Sequence, residues 1–135
     1  MPSANGDDRS DGDVTDTIVL TFPSGESFRS VPTLVLSGVG TRLGLPYERM
    51  DDLQLALLSM LDAAAGEEAS VEINAEDDRV AVSVGPLRPD ADGDTGLGLV
   101  LDRLTDGVET RRRGDDVWLT VFLARAQATE GQPAA

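Results

Sequence analysis

The chain has 135 residues, a hydrophobic share of 40% and a formal net charge of -14. It contains no Cys, His or Lys, which excludes thiol nucleophiles, histidine acid–base catalysis, the usual zinc sites, Schiff-base chemistry and a P-loop lysine. The strongly acidic balance argues against binding to nucleic-acid phosphates and favours a basic protein partner.

One folded domain is expected over residues 14–125, because a chain of this length forms a single core. Residues 1–13 carry four aspartates, one arginine and no apolar stretch, so we predict a disordered acidic tail and neither a secretory nor a transit signal. A flexible tail is predicted for residues 126–135. Because no apolar run reaches membrane-spanning length, we expect no membrane contact and a cytoplasmic protein.

The first predicted element is the strand "VTDTIVLTF", in which Ile18, Leu20 and Phe22 share one face. The segment "SVPTLVLSGVGTRLG" then predicts a helix, with Ser30 as its N-cap and Gly44 as its C-cap. Helical spacing places the following residues on its predicted core face: Val31, Leu34, Val35, Gly38 and Arg42.

The segment "PYERMDDLQLALLSMLDAAAGEE" predicts the longest helix, which Gly66 is expected to end. Its predicted core residues are Leu53, Leu57, Met60, Leu61 and Ala64. The runs "ASVEIN" and "RVAVSVG" follow as a strand hairpin around the polar turn "AEDD". The segment "PLRPDADGD" has the prolines and aspartates of a loop.

A third helix is predicted for "GLGLVLDRLTD", and a final strand pair for "GVETRRR" and "VWLTVFLAR" around the tight turn "GDD". The predicted order is strand, helix, helix, strand, strand, helix, strand, strand. This order indicates an α+β fold, a two-layer sandwich of a mixed, mostly antiparallel sheet with about three helices on one face.

The glycine corner formed by Thr95, Gly96, Leu97 and Gly98 has two interpretations. A helix N-terminus presents unpaired N–H groups with partial positive charge, and glycine lets an anion approach closely, so these four residues are candidates for binding a nucleotide phosphate. In the alternative, Gly96 serves a loop-to-helix turn and Gly98 permits close packing. The residues by themselves leave both interpretations open.

Three aspartates before this corner, Asp90, Asp92 and Asp94, alternate as the first ligands of an EF-hand loop do. However, Thr95 stands where that loop requires glycine, and Leu101 stands where it requires a bidentate glutamate. We therefore expect no calcium site and interpret the segment as an acidic loop.

Several stretches occur in an order that points to a known family: "VPTLVLSGVGTRLGLPYERMDDLQLALLSML", "SVEINAEDDRVAVSVG", "TGLGLVLDRLTDGVE" and "DVWLTVFLAR". Over residues 14–125 the chain resembles the anti-sigma regulatory factor family, the serine-kinase-like branch of the GHKL ATPases with the Bergerat fold. The resemblance implies a histidine-kinase-like ATPase domain, a sigma factor or STAS-domain antagonist as partner, and a possible homodimer.

The resemblance also implies where the nucleotide-binding groups would stand. Starting from "DLQLA", the family's Glu position is Ser59 and its magnesium-holding Asn position is Ala63. A serine hydroxyl cannot act as a carboxylate base, and alanine cannot bind a metal. The family's adenine-contacting Asp is missing from "VGPLRP" at residues 84–89, so the glycine box at Gly96 and Gly98 is the part that matches. We therefore assign no catalytic residue, no metal site and no required cofactor.

The leading prediction is a degenerate family member that regulates by protein–protein binding, with nucleotide binding lost or weak. Two alternatives stay open. One is an active serine kinase using ATP and magnesium, in which Asp52 or Asp62 supplies the missing acid. The other is a small-molecule sensor that uses the former nucleotide cavity, lined by apolar residues around Ala63 and Val84.

Overall fold

A computed structural model of the chain describes residues 14–125. Both predicted tails, residues 1–13 and 126–135, lie outside the described residues. The regular elements are β1 (Val14–Pro23), α1 (Ser30–Leu43), α2 (Tyr47–Leu61), β2 (Glu68–Glu76), β3 (Arg79–Leu87), α3 (Thr95–Leu104), β4 (Gly107–Arg113) and β5 (Asp116–Ala124). Short 3-10 turns occupy Glu26–Phe28 and Ala91–Gly93. The order of strands and helices is the predicted one.

The five strands form one sheet in the order β1-β2-β3-β5-β4. Each pair of neighbouring strands is antiparallel. The predicted α+β two-layer sandwich is therefore confirmed, and the sheet is antiparallel throughout the described strands rather than mixed. Within residues 14–125 there is no helix with the length and apolar character needed to cross a membrane.

The core lies between one face of the sheet and the three helices. Strand β2 alternates buried and half-buried residues, as a strand with one covered face does. The inward side chains of the two central strands are Val80, Val82, Val84, Val117, Leu119, Val121 and Leu123. Against them pack the fully buried helix residues Leu36, Leu53, Leu57, Met60 and Leu101. Burial of this apolar surface is the main force that holds the two layers together.

Helix α1 turns a different face to the core than the sequence pattern predicts. Its buried residues are Pro32, Leu36, Val39 and Gly40, whereas Leu34 is 74% exposed and Val31 is also exposed. Apolar residues stand on every side of this helix, so periodicity alone selects no face. The α1–α2 crossing decides it, since a Cβ on Gly40 would collide with the end of Met50.

Capping residues predict both ends of α1, and the structure confirms the predicted C-cap but not the predicted N-cap. Gly44 adopts a left-handed conformation with φ 73 and ends the helix as expected. Ser30 is not the N-cap, because the 3-10 turn at Glu26–Phe28 runs directly into the helix with Arg29 already in a helical conformation. The backbone carbonyl of Arg29 accepts from the N–H and the hydroxyl of Thr33.

Helix α2 ends earlier than predicted. It buries Leu53, Leu57, Met60 and Leu61 as the heptad-like spacing indicates, but its last residue is Leu61. Gly66, with φ +86, lies in the turn before β2 and does not end the helix. Past the helix, the chain pairs with the end of β3 through an isolated bridge between Ala64 and Leu87.

The sheet face away from the helices is covered by arginine side chains. The guanidinium of Arg113 lies 3.9 Å from the centre of the Trp118 ring. It also donates to both carboxylate oxygens of Glu72, at 2.7 and 3.0 Å. Arg79 stacks on Phe122 in the same way, at 4.0 Å. Both rings are therefore buried, although no helix covers this face in the described part of the chain.

We predict that Gly85→Ala destabilises the fold by about 1 to 3 kcal/mol, because overpacking a filled site forces its neighbours to move. A Cβ at Gly85 would overlap the Trp118 indole, which has no room to retreat beneath Arg113. Urea unfolding measures the change. The matched control is Gly38→Ala on the exposed side of α1, where a Cβ meets nothing within 4 Å. It should stabilise by about 0.5 to 1 kcal/mol; equal effects at both sites would contradict the packing argument.

The Glu72–Arg113 pair predicts a specific pH dependence of stability. The hydrogen bonds from Arg113 hold the pKa of the Glu72 carboxyl below its ordinary range in the folded protein. Its contribution is therefore present above about pH 4.3 and is lost as the pH falls through the lowered pKa. We expect Glu72→Gln to cost about 0.5 to 1 kcal/mol near neutral pH, with the gap to the wild type closing in acid.

Urea unfolding from neutral to acidic pH measures this gap. The control is Glu109→Gln, which removes a carboxylate from the more exposed pair with Arg111 on the same sheet face. It should change stability by less than about 0.5 kcal/mol. A Glu72→Gln gap that stays constant with pH would show that the ion pair is not its cause.

Candidate functional site

A cleft of about 220 Å³ opens between the end of α2, the end of β3 and the start of α3. Its lining residues are Ser59, Asp62, Ala63, Arg88, Asp94, Gly96, Leu97 and Val100. The fold therefore brings Ser59 and Ala63, the two altered motif positions, to the same cleft as Gly96 and Leu97. Thr95 and Gly98 lie on a neighbouring surface with Asp92 and Asp102.

The backbone after α2 sets the position of Ala63. The carbonyl of Ala63 accepts from the N–H of Arg88 at 2.9 Å, and the N–H of Ala65 donates to the carbonyl of Pro86 at 2.9 Å. These hydrogen bonds join the segment after α2 to the last residues of β3. They place Ala63 and Arg88 on the same wall of the cleft.

The N-terminus of α3 is capped by a side chain of the protein itself. Asp94 is the N-cap, and its Oδ1 accepts from the N–H of Leu97 at 3.0 Å. The carbonyl of Asp94 accepts from the N–H of Gly98 at 3.0 Å. A carboxylate at this position satisfies one of the free N–H groups of the helix and interacts favourably with the helix dipole, as a phosphate also can.

Neither Gly96 nor Gly98 is packed closely against a neighbouring residue. A Cβ at Gly98 would meet nothing within 4 Å, so the expectation that this glycine permits close packing is wrong. A Cβ at Gly96 would lie 3.5 Å from Asp94 Oδ1, which is an ordinary contact. The corner therefore functions here as a capped loop-to-helix turn.

The charges of the cleft are neutralised within the protein. Arg88, which is the one basic residue in its lining, lies 3.4 Å from carboxylate oxygens of both Asp90 and Asp94. Asp62 accepts from the guanidinium of Arg29 at 2.6 Å. An incoming phosphate would meet the carboxylates of Asp62 and Asp94 and would have to compete with them for arginine.

The side chains of Ser59 and Ala63 offer no free group for acid–base catalysis or metal binding. The Ser59 hydroxyl donates to the backbone carbonyl of Leu55 at 2.9 Å, so it is directed onto its own helix. Ala63 presents a methyl group and is 2% exposed. Val84, expected beside Ala63 in a sensor cavity, is fully buried in the core below. Across residues 14–125, no three carboxylates are arranged to hold a metal ion.

The aspartates of the acidic loop have separate roles. Asp90 contacts Arg88, Asp92 lies 3.6 Å from Arg112 of β4, and Asp94 caps α3. The sequence analysis did not assign Arg88, Asp94 and Val100 to the cleft. Asp94 could have been found, since an Asp directly before a helical pattern is an N-cap signature. No local signal could have placed Arg88 in the same cleft as Asp62, because tertiary packing joins their segments.

We predict that Asp94→Ala costs about 0.5 to 2 kcal/mol of stability, because the Leu97 N–H loses its acceptor. The matched variant is Asp94→Asn, whose amide oxygen can still accept this hydrogen bond and which should stay within about 0.5 kcal/mol of the wild type. Urea unfolding separates the two. If Asn and Ala cost the same, the ion pair with Arg88 and not the cap would be the dominant role of Asp94.

The chain matches no protein-family model, and no curated protein shows significant similarity to it. The likeness to anti-sigma regulatory factors therefore rests on the sequence motifs quoted above, and a family assignment enters below only as a proposal.

Proposed function

We propose that this protein is a degenerate regulator of the anti-sigma type, which acts in the cytoplasm by binding a protein partner. The partner is a sigma factor or a STAS-domain antagonist, and binding of ATP with magnesium has been lost or is weak. The observation that carries this proposal is the capped N-terminus of α3, where the Asp94 carboxylate already accepts from the Leu97 N–H, one of the donors that a nucleotide phosphate would use.

Three further features support the proposal. The positions that the resemblance assigns to a general base and a metal ligand, Ser59 and Ala63, meet in the cleft with Gly96 but carry no suitable groups. The net charge of -14 favours a basic partner. The helix layer also exposes several large apolar side chains, among them Leu34, Leu55 and Leu99, as protein-binding surfaces do.

An active serine kinase is the competing function. One observation favours it: Asp62, a carboxylate next to the altered Asn position, does line the cleft. Its ion pair with Arg29 keeps it engaged at 2.6 Å, and Asp52 is engaged with Arg49 at 3.2 Å. A small-molecule sensor is less well supported, because the cleft is smaller than the roughly 300 to 1,000 Å³ of most ligand pockets.

The first test is calorimetric titration with ATP and magnesium, for which we expect no saturable heat at millimolar nucleotide. Two variants serve as a matched pair: Gly96→Trp would block the cleft, whereas Gly98→Trp changes the neighbouring surface. Micromolar binding that only Gly96→Trp abolishes would overturn the proposal and favour the kinase.

The second test mixes the protein with the sigma factors and STAS-domain proteins encoded in the same genome. We expect one of them to form a stable complex, with a binding free energy of about -8 kcal/mol or more favourable. Radiolabelled ATP in the same mixture should leave no label on the partner. Phosphate transfer to a serine, or no complex with any of these proteins, would each contradict the proposed function.

A further inference from the structure

A groove runs along the outer surface of the helix layer, between α1 and α2. The two helices are antiparallel, with Arg29 next to Asp62 at one end and Gly40 against Met50 near the other. Between these contacts the amide of Gln54 donates to Ser37 Oγ at 2.7 Å. The groove has a volume of about 320 Å³ and is lined by Thr33, Asp51, Gln54, Leu55 and Leu58.

Apolar side chains border this groove on both helices. On α2, the residues Tyr47, Asp51, Leu55 and Leu58 recur at helical spacing and therefore share one face. Tyr47 is 84% exposed and Leu55 is 53% exposed. On α1, Leu34 follows the groove residue Thr33 in sequence and is 74% exposed. None of these three exposed side chains contributes to the core, so the fold does not require them to be apolar.

The charge at the groove is negative. Asp51 lines it and Glu48 lies one turn earlier on α2, and neither carboxylate forms an ion pair within residues 14–125. Arg29, just before α1, and Arg42, near its end, already form ion pairs with Asp62 and Asp16 respectively. A ligand for this groove must therefore supply its own positive charge.

We propose that the α1–α2 groove binds a basic amphipathic α-helix of the protein partner. The helix would lay its apolar face against Leu34, Leu55 and Leu58 and direct Lys or Arg side chains to Asp51. With 15 residues, α2 is about 22 Å long, which matches a partner helix of about four turns. The inference rests on the proposed function in one respect, that the protein acts by binding another protein.

A second copy of this chain fits the groove less well. Its net charge of -14 would repeat the negative charge of Asp51 and Glu48 instead of complementing it. Pairing of two copies through the groove is therefore an outcome of the test that would count against the proposal.

The test uses three synthetic 15-residue peptides and measures binding by fluorescence anisotropy with the full chain. The first has Leu at positions 1, 5, 8 and 12 and Lys or Ala elsewhere, so that the leucines share one helical face. The second has the same composition in scrambled order, and the third replaces each Lys by Glu. We expect the first peptide to bind at least about tenfold more tightly than the second, and the third not to bind.

Matched variants locate the site. Leu34→Gln and Leu55→Gln should each weaken binding of the first peptide about tenfold, because each removes a leucine from the contact. Leu99→Gln is the control, since Leu99 is 59% exposed on α3 and lies outside the groove. Asp51→Lys should weaken binding as well, whereas Asp102→Lys on α3 should change it less than about twofold. All five substituted residues lie outside the hydrophobic core, so we expect each variant to keep the fold.

Equal binding of the first and second peptides, equal effects of Leu34→Gln and Leu99→Gln, or no binding at all would each overturn the groove assignment. So would a dimer that Leu34→Gln dissociates. The proposed function fails separately. If a sigma factor binds the Leu34→Gln variant and the wild type equally, the groove assignment is wrong but the proposed function stands. If the peptide binds in the groove but no sigma factor or STAS-domain protein binds the chain, the groove assignment stands but the proposed function is wrong.

Discussion

The burial of α2 against the centre of the sheet is the interaction on which the rest of the structure depends. Leu53, Leu57 and Met60 are fully buried over β3 and β5, and α2 lies between α1 and α3 in the helix layer. Its inner face holds the two layers together. Its end leads into the segment that borders the cleft, and its outer face forms one side of the groove. Both candidate binding surfaces thus derive their geometry from one amphipathic helix.

A second constraint is electrostatic, because the chain has eleven arginines and an excess of carboxylates with which they can pair. Several of them neutralise carboxylates within the fold: Arg88 contacts Asp94 at the cleft, and Arg113 contacts Glu72 on the open sheet face. At the start of α3 this arrangement has a functional consequence. The helix dipole that would attract a phosphate already interacts with the Asp94 carboxylate, which is the basis of the proposal that nucleotide binding is lost or weak. At the groove between α1 and α2 the Asp51 carboxylate has no ion pair with a described residue, so it is free to interact with the cationic partner proposed above.

Much of the fold was predictable because strands and the central helix carry strong periodic signals. The alternation of apolar residues in "VTDTIVLTF" and the helical spacing of Leu53, Leu57 and Met60 each have one solution that buries these residues, and the long apolar run "VWLTVFLAR" is typical of a strand buried on both faces. Helix α1 was predicted with the wrong face because its apolar residues surround it, so that its orientation is set by packing, with Leu36 and Val39 in the core and Gly40 against Met50. The end of α2 was misplaced for a related reason, since the pairing of Ala64 with Leu87 is made between distant segments and leaves no local pattern.

The sequence by itself determined the element order, the α+β class, and the absence of thiol, imidazole and lysine chemistry, since residue types and local periodicity suffice for these. It also predicted, through the resemblance to the anti-sigma regulatory factors, that Ser59 and Ala63 stand where that family has a Glu and an Asn. Only the tertiary structure decided that these two residues meet Gly96 in one cleft, that Asp94 caps the helix there, and that Leu34 and Leu55 are both exposed on the helix layer. The physical reason is that side chains far apart in sequence acquire neighbours only when helices and sheet pack, and packing selects among faces that the local pattern leaves equivalent.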